Sequence, residues 1–113
     1  MAPDPNPTPK GSANALRELC VLIPARNEER LLGRCISSVI AAGVRPEHIF
    51  AIDDASSDRT GDVMREFSGV NVISNPTRLG KANSLRRAID VHQLTDRFAF
   101  ISLLDADSHV ASD

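Results

Sequence analysis

Apolar residues along the chain form short continuous runs that alternate with segments at helical spacing. The first run, at residues 19–23, ends at Pro24 and is typical of a strand buried on both faces of a parallel sheet. Apolar positions three or four residues apart follow it, between Asn27, which we expect to cap a helix, and Gly43, which we expect to end it. These two segments predict a first strand–helix unit.

The same alternation continues along the rest of the chain. It predicts strands at 49–52, 70–73 and 98–104 and helices at about 60–67 and 81–92. The helix at 81–92 is expected to bury Ala82, Leu85, Ile89 and His92. Strands that alternate with helices imply right-handed crossovers and a mostly parallel sheet with helices on both faces, so we predict an α/β fold.

Polar clusters lie where the predicted strands end. They occupy residues 24–28, 53–58, 75–81 and 105–107. In open parallel sheets, ligands bind beyond the carboxyl ends of the strands, where the strand order reverses. Four clusters at one edge of the sheet therefore predict a ligand site there.

Asp105 and Asp107 follow the last apolar run with one residue between them. Two carboxylates held close repel each other unless a cation neutralises them, and a divalent ion bound by carboxylate and phosphate oxygens does so well. The alternative is that one Asp caps the next element and the other belongs to a turn. Spacing alone leaves both interpretations open, because any Asp-x-Asp is a weak motif.

The cluster at 53–58 offers acceptors for a ribose hydroxyl or a base N–H. We expect Ser57 or Asp58 to cap the following helix, which is a structural task. This leaves Asp53 and Asp54 without an evident purpose in the fold and favours a binding role for them.

A third cluster places Arg78, Gly80 and Lys81 ahead of a helix, which suits a diphosphate through charge and backbone N–H groups. Solvated surface cations with a turn glycine are the alternative. The sequence has no Gly-x-x-x-x-Gly-Lys-Ser/Thr motif, which disfavours a P-loop nucleotide hydrolase. Arg26 is a weaker candidate for phosphate binding, because a single arginine near a helix start is commonly solvated.

Composition narrows the possible partners. The 113 residues carry a formal net charge of -2, which argues against nucleic acid, because that partner needs a clustered excess of Lys and Arg. Residues 1–15 are rich in proline and are expected to form a disordered leader, with residues 16–113 as one domain or part of one. The sequence has neither a long apolar run nor a signal peptide, so we expect a cytoplasmic location.

The cysteines and histidines are expected to have structural roles, and two further arginines are expected to be solvated. Cys20 and Cys35 lack metal-ligand spacing and are expected to be buried free thiols in a reducing compartment. The histidines share no ligand spacing and are expected to be structural: His48, His92 and His109. Two arginines are expected on the exposed face of the third helix, Arg86 and Arg87.

Four segments together resemble the opening of family-two glycosyltransferases with the GT-A fold. They are residues 21–28 (VLIPARNE), 51–58 (AIDDASSD), 78–82 (RLGKA) and 104–107 (LDAD). Each segment is loose by itself, but the four in this order and at these separations are specific. The resemblance covers nearly everything after Leu16 and implies the Rossmann-like, nucleotide-sugar-binding half of a GT-A domain.

The resemblance implies roles for the matching positions. Its substrate-binding residues are Pro24, Ala25, Arg26, Glu28, Asp54, Gly80, Lys81 and Asp105. Among them Asp54 would contact the base, and Asp105 would lie near the ribose or the sugar. Asp107, the last residue of the Asp-x-Asp motif, would ligate Mn²⁺ or Mg²⁺.

The implied reaction is inverting transfer of a sugar, of the hexosyltransferase type. The donor would be a nucleoside-diphosphate sugar, with a UDP-sugar preferred, and the acceptor a saccharide or a lipid-linked molecule. A bound divalent ion would stabilise the negative charge of the leaving diphosphate. The family's catalytic base is a carboxylate well downstream, expected beyond Asp113, so we expect the chain by itself to be inactive. Any membrane attachment, at the cytoplasmic face, would reside in carboxyl-terminal parts absent from this sequence.

Three other functions share some of these sequence features. The main alternative is a non-catalytic nucleotide-binding fragment without the acceptor half. A phosphatase with Asp105 as nucleophile and Asp107 as acid is disfavoured, because that class carries the motif on its first strand. A nucleotidyltransferase is disfavoured because residues 24–28 lack the glycines of its signature.

Overall fold

The computed structural model describes residues 18–108 and residue 110. Its strands are β1 (Leu19–Ala25), β2 (Ile49–Asp54), β3 (Asn71–Asn75) and β4 (Phe100–Leu103). Its helices are α1 (Leu32–Ala41), α2 (Thr60–Arg65), α3 (Lys81–Val91) and α4 (Leu94–Arg97), with a 3₁₀ turn at Pro46–His48 before β2. From β1 to α3, strands and helices alternate as the sequence predicts.

The four strands form one parallel sheet in the order β3-β2-β1-β4. In its register, Val21 of β1 lies between Ile49 of β2 and Ser102 of β4. The chain adds β2 and β3 on one side of β1 and then places β4 on the other side. The strand order therefore reverses between β1 and β4, which is the position where open α/β sheets bind ligands.

Helices cover both faces of the sheet. Successive residues of β1 point to opposite faces, so alternate residues of this strand pack against different helices. Val21 and Ile23 belong to a buried cluster with residues of α1 and α2. Cys20 and Leu22 belong to a second cluster with residues of α3 and α4. Burial on both sides explains why β1 is continuously apolar, and the arrangement confirms the predicted α/β class.

The strand β4 is shorter and more exposed than the sequence pattern predicts. Phe100 and Leu103 are 52% and 54% exposed. The preceding residues form α4, which the hydrophobic pattern does not predict because four residues are too few to show a helical period. Gln93, with a φ of 52°, separates α4 from α3, and Leu94 anchors α4 because its side chain is fully buried.

The predicted cap of the first helix is wrong. Asn27 lies well before α1, which begins at Leu32, and has a φ of 54°. Its side-chain Oδ1 accepts a hydrogen bond from the backbone N–H of Ser57 at 2.8 Å, and its own backbone N–H donates to Ser56 Oγ at 3.0 Å. Asn27 therefore joins two strand-end loops, and these distant partners replace the local capping bond that its residue type favours.

The buried stripe of α3 also differs from the prediction. Ala82 is exposed, and the residues of α3 that are fully enclosed are Ser84 and Ala88. The other members of the predicted stripe, Leu85, Ile89 and His92, are half-buried. The helix is thus rotated so that a small polar side chain, Ser84, faces the end of the sheet where the candidate site lies.

Both cysteines are buried free thiols, as expected. Burial raises the pKa of Cys20 and of Cys35 to about 11, and the carboxylates of Asp107 and Asp105 also raise that of Cys35. Both thiols therefore stay neutral near pH 7.

Several other expectations concern residues away from the site. His48 packs edge-on against the ring of Phe98, and His92 does so against Phe50. The predicted leader at 1–15 and the expected structural role of His109 fall outside the described residues. Within residues 18–108, none of the helices has the length and apolar character needed to cross a membrane.

Candidate functional site

A pocket of about 190 Å³ opens at the carboxyl ends of β1 and β2. Its lining residues are Pro24, Ala25, Arg26, Asp54, Arg78, Gly80, Lys81 and Ser84. Six of the eight predicted substrate-binding residues are in this set, the exceptions being Glu28 and Asp105. The tertiary structure therefore brings together three polar clusters that are far apart in sequence.

Asp54 is the organising side chain of the pocket floor. It is only 5% exposed, and its Oδ1 accepts hydrogen bonds from the backbone N–H of Leu79 at 2.8 Å and from Asn75 Nδ2 at 3.0 Å. Its Oδ2 accepts one from the backbone N–H of Gly80 at 2.9 Å. The expectation that Asp54 has no purpose in the fold is wrong, because its carboxylate holds the loop that leads into α3.

The ionisation of Asp54 reflects two opposing effects. Burial by itself raises the pKa of a carboxyl group, because it disfavours the charged form. The hydrogen bonds from Leu79, Asn75, Gly80 and Ser84 together outweigh burial and lower the pKa of Asp54 below 3.8. The side chain is therefore a fixed anion at neutral pH.

Asp53 also has a local role. Its Oδ1 accepts a hydrogen bond from the backbone N–H of Ser56 at 3.0 Å and so closes the turn after β2. The expectation that Ser57 or Asp58 is the cap of α2 is wrong, because the N-cap is Arg59; Asp58 lies one residue earlier, and its Oδ1 accepts a hydrogen bond from the backbone N–H of Thr60 at 2.9 Å. The hydroxyl of Thr60 makes the largest contribution in lowering the pKa of Asp58. These carboxylates thus shape the loop at the end of β2.

Three residues that the sequence motifs did not assign to the site support the pocket: Ser84 lines it, and Asn75 and Arg87 are connected to it by hydrogen bonds. Asn75 and Ser84 are 4% and 1% exposed, and Asn75 Nδ2 donates to Ser84 Oγ at 2.9 Å. The exposed side chain of Arg87 donates from a terminal guanidinium nitrogen to Asn75 Oδ1 at 2.7 Å. A sequence signal was present for one of them, because Asn75 begins the polar cluster at 75–81 that follows the third predicted strand.

The loop before α3 contributes positive side chains to the pocket, but the backbone N–H groups of two of its residues are not free. The backbone N–H groups of Leu79 and Gly80 are already bonded to Asp54, so the predicted use of these two amides for a diphosphate is not supported. Gly80 has a φ of 86°, a conformation that favours glycine, although the space beside its Cα is open. Arg78 and Lys81 remain as the charged groups of this loop.

Asp105 lies at the rim of the pocket through an ion pair with Lys81. The side chains of Lys81 and Asp105 are 60% and 59% exposed. The backbone just before Asp105 is fixed to β1, because the Leu104 N–H donates a hydrogen bond to Leu22 O at 3.0 Å. The thiol of Cys35 lies 3.5 Å from the carbonyl oxygen of Asp105. The Asp-x-Asp segment therefore combines an anchored backbone with accessible carboxylates.

Asp107 is exposed, and Ala106, which separates it from Asp105, is buried. Among residues 18–108 and 110, no group of three or more His, Cys, Asp and Glu side chains gathers as a metal site. Magnesium and manganese need only one or two protein carboxylates when phosphate oxygens complete the coordination. The exposed carboxylates of Asp105 and Asp107 fit that requirement, whereas the neutral thiol of Cys35 does not.

Glu28 lies apart from the first pocket. Its backbone N–H donates to Thr60 Oγ1 at 2.8 Å, and its side chain lines a second pocket of about 380 Å³. The other residues of that pocket are Asn27, Glu29, Arg30, Leu31 and Asp58. The structure therefore does not bring the Glu28 side chain together with Arg26 and Lys81.

Comparison with protein families gives a match over most of the chain. The model of "Glycosyl transferase family 2" matches residues 20–113. The 4,4'-diaponeurosporenoate glycosyltransferase of Staphylococcus aureus (strain USA300) is 33% identical over 95 residues, which are 80% of this chain and 24% of that protein. The chain thus spans about a quarter of the length of the curated relatives it matches.

Solved structures of glycosyltransferases share the fold. The mannosyltransferase PcManGT from Pyrobaculum calidifontis, in complex with GDP-Man and Mn²⁺, superposes with a TM-score of 0.69 at 21% identity over 85% of this chain and 29% of that one. Glucosyl-3-phosphoglycerate synthase from Mycobacterium tuberculosis, in complex with Mn²⁺, UDP and glucosyl-3-phosphoglycerate, superposes with a TM-score of 0.66 at 23% identity. The match covers 96% of this chain and 41% of that one. These similarities identify the fold as GT-A-like.

Proposed function

The chain belongs to glycosyl transferase family 2, and on that premise we propose that its pocket binds the nucleoside diphosphate of a sugar donor. The observation that carries the proposal is the convergence of Pro24–Arg26, Asp54 and Gly80–Lys81 around one cavity at the carboxyl ends of β1 and β2, beside the switch point of the sheet. Such a position is the general ligand site of open α/β sheets. A nucleotide supplies both the flat base and the charged phosphates that this mixed lining suits.

The cations of the pocket bind the diphosphate. Arg26, Arg78 and Lys81 all line the cavity, so three positive side chains surround a small volume. Guanidinium and ammonium groups make charge-assisted hydrogen bonds to phosphate oxygens. Because the amides of Leu79 and Gly80 are engaged by Asp54, these side chains carry the phosphate contacts.

Asp54 is assigned to the base or the ribose of the nucleoside. Its carboxylate is fixed in the pocket by hydrogen bonds from Asn75, Leu79, Gly80 and Ser84, so a base N–H or a ribose hydroxyl would share an oxygen with these donors. A UDP-sugar is the preferred donor, and solved structures of similar fold hold both UDP and GDP-Man.

A divalent ion, Mn²⁺ or Mg²⁺, is assigned to Asp107, with Asp105 on the sugar side of the pocket. When bound, the ion supplies positive charge that stabilises the leaving diphosphate. Both of the solved structures described above contain Mn²⁺. Lys81 is assigned to the same phosphates, and its ion pair with Asp105 lies at the rim of the pocket.

The complete reaction is inverting transfer of a hexose to a saccharide or lipid-linked acceptor. No catalytic base is assigned to a residue of this chain, and acceptor binding and membrane attachment are assigned to other parts of a longer protein at the cytoplasmic face. The purified 113-residue chain, given UDP-glucose and candidate acceptors, is expected to transfer no sugar above background. Sustained transfer would contradict this assignment and would also exclude the alternative of a non-catalytic nucleotide-binding module.

Calorimetric titration with UDP in the presence of Mn²⁺ tests nucleotide binding. We expect Arg78→Gln to weaken UDP binding by roughly ten- to a hundredfold, because it removes a charge-assisted bond of about 1.5 to 3 kcal/mol. The matched control is Arg45→Gln, an exposed arginine before the 3₁₀ turn, at the opposite end of the sheet. Absence of UDP binding by the unmodified chain, or equal losses in both variants, would contradict the proposal.

A further inference from the structure

A chain of polar side chains runs beneath the pocket from the surface of α3 to the loop before that helix. It consists of Arg87, Asn75 and Asp54, with Ser84 beside Asn75. Three of the four are at least nine-tenths buried, Asp54 at 5%, Asn75 at 4% and Ser84 at 1% exposure. Buried polar groups are costly unless their hydrogen bonds are satisfied, so this chain is a built feature of the site.

The side-chain amide of Asn75 is held in one orientation. Its Nδ2 carries two hydrogens, and these have two acceptors, Asp54 Oδ1 at 3.0 Å and Ser84 Oγ at 2.9 Å. Its Oδ1 accepts from the guanidinium of Arg87 at 2.7 Å. A flipped amide would present oxygen to the Asp54 carboxylate and nitrogen to the guanidinium, and both contacts would be repulsive.

The orientation of Asn75 fixes that of Asp54. With Asn75 on one side, the Asp54 carboxylate presents its two oxygens to the N–H groups of Leu79 and Gly80. Those two amides belong to the loop that carries Arg78 and ends at Lys81, the first residue of α3. The position of the pocket cations is therefore coupled, through Asn75 and Asp54, to the side chain of Arg87 on the outer surface of α3.

We propose that Asn75 and Arg87 are positioning residues of the nucleotide pocket. They hold the Asp54 carboxylate so that it orders the Leu79–Gly80 backbone and places the adjacent cations for the diphosphate. The inference rests on the proposed nucleotide binding, but the ordering of the loop is measurable without a ligand.

The first test compares Arg87→Ala with Arg86→Ala in the full chain. Both arginines are exposed on α3, so each change removes one charge near the pocket without opening the core. Arg87 bonds to Asn75, whereas within the described residues the Arg86 side chain makes no hydrogen bond or ion pair. By NMR, Arg87→Ala is expected to speed hydrogen exchange of the Leu79 and Gly80 amides several-fold, and Arg86→Ala to leave it unchanged.

The second test compares Asn75→Asp with Asn71→Asp, two identical changes on β3. Asn71 also donates two side-chain hydrogen bonds, to Glu47 O at 2.8 Å and Ile49 O at 3.1 Å, but at the end of the strand away from the pocket. Asn75→Asp is expected to weaken UDP binding by about tenfold or more, because it sets a second carboxylate against Asp54. Asn71→Asp is expected to leave UDP affinity within about twofold of the unmodified chain.

The outcomes separate this inference from nucleotide binding itself. Faster Leu79 and Gly80 exchange in Arg87→Ala, together with weaker UDP binding, supports the positioning role. Unchanged exchange in Arg87→Ala, or equal exchange in Arg86→Ala and Arg87→Ala, overturns it whether or not Asn75→Asp folds. If the unmodified chain binds no UDP, nucleotide binding fails, and the exchange comparison still decides how the loop is held.

Discussion

The carboxylates that follow β2 and those that follow β4 occupy similar places in the fold but have different surroundings. Asp54, at the end of β2, is 5% exposed and accepts three hydrogen bonds from the loop before α3 and from Asn75. Asp105, after β4, has a side chain that is 59% exposed and pairs with Lys81 alone among the described residues. One carboxylate is part of the framework of the pocket, and the other is accessible at its rim.

The position of each strand in the sheet explains the difference. β2 lies between β1 and β3, so its end is covered by the loops that follow both neighbours. β4 pairs with β1 on one side in the described part of the chain, and its end is open. A carboxylate at a covered strand end must be satisfied by protein donors, whereas one at an open end remains available to a cation or a sugar.

The largest expected effect is on stability, from Asp54→Ala. This change leaves the N–H groups of Leu79 and Gly80 and the amide of Asn75 without their acceptor. We expect a loss of about 2 to 4 kcal/mol in the free energy of unfolding, measured by urea titration. The result would give a measure of the structural role of Asp54, for which the sequence pattern indicated no evident purpose in the fold.

The control for that measurement is Asp105→Ala. Because Asp105 and its partner Lys81 are both exposed, the change should alter the free energy of unfolding by less than about 0.5 kcal/mol. Equal losses for Asp54→Ala and Asp105→Ala would remove the distinction between a framework carboxylate and an accessible one.

The next effect concerns metal dependence at the open strand end. Asp107→Asn should abolish the enhancement of UDP affinity by Mn²⁺, a loss of about tenfold, because Mn²⁺ and Mg²⁺ rely on one or two protein carboxylates. Asp105→Asn should keep part of that enhancement, since Asp105 is already paired with Lys81. Titration of UDP with and without Mn²⁺ measures both. Full metal enhancement in Asp107→Asn would exclude Asp107 as the metal ligand.

A smaller effect is expected in the pH dependence of stability. The pKa of Asp54 is lowered below 3.8 in the fold, because its hydrogen bonds outweigh the effect of burial. Its ionised form therefore stabilises the fold above about pH 4, and that contribution is lost as the pH falls through the folded pKa. Urea midpoints between pH 7 and pH 3 should decline less for Asp54→Asn than for the unmodified chain. Parallel declines would show that Asp54 does not contribute to acid sensitivity.

The smallest effect is expected from Lys81→Gln on stability. The Lys81–Asp105 pair is exposed, and exposed pairs contribute up to about 1 kcal/mol, so we expect a change within about 0.5 kcal/mol. UDP affinity should fall in the same variant, because Lys81 lines the pocket. A large loss of stability would place Lys81 with the framework residues, beside Asp54.

The sequence predicts the fold well where a strand is buried on both faces. It predicts the fold less well where hydrogen bonds to residues distant in sequence determine the local structure. The apolar runs of β1 and β2 predict parallel strands because both faces of each are buried, and this is confirmed. Asn27 is misassigned because its hydrogen-bond partners, Ser56 and Ser57, lie 29 and 30 residues away. Local capping preferences hold no information about such contacts.

The sequence by itself determined the parallel α/β class, the family resemblance and the positions of the polar clusters, because hydrophobic periodicity and motif spacing are local properties. The tertiary structure decided that Asp54 bonds to Asn75, Leu79 and Gly80, which are 21 to 26 residues distant. It also separated Glu28 from the pocket and brought Arg87 into contact with Asn75. The physical reason is that these contacts depend on which strands are neighbours, and strand order follows from the packing of the whole sheet.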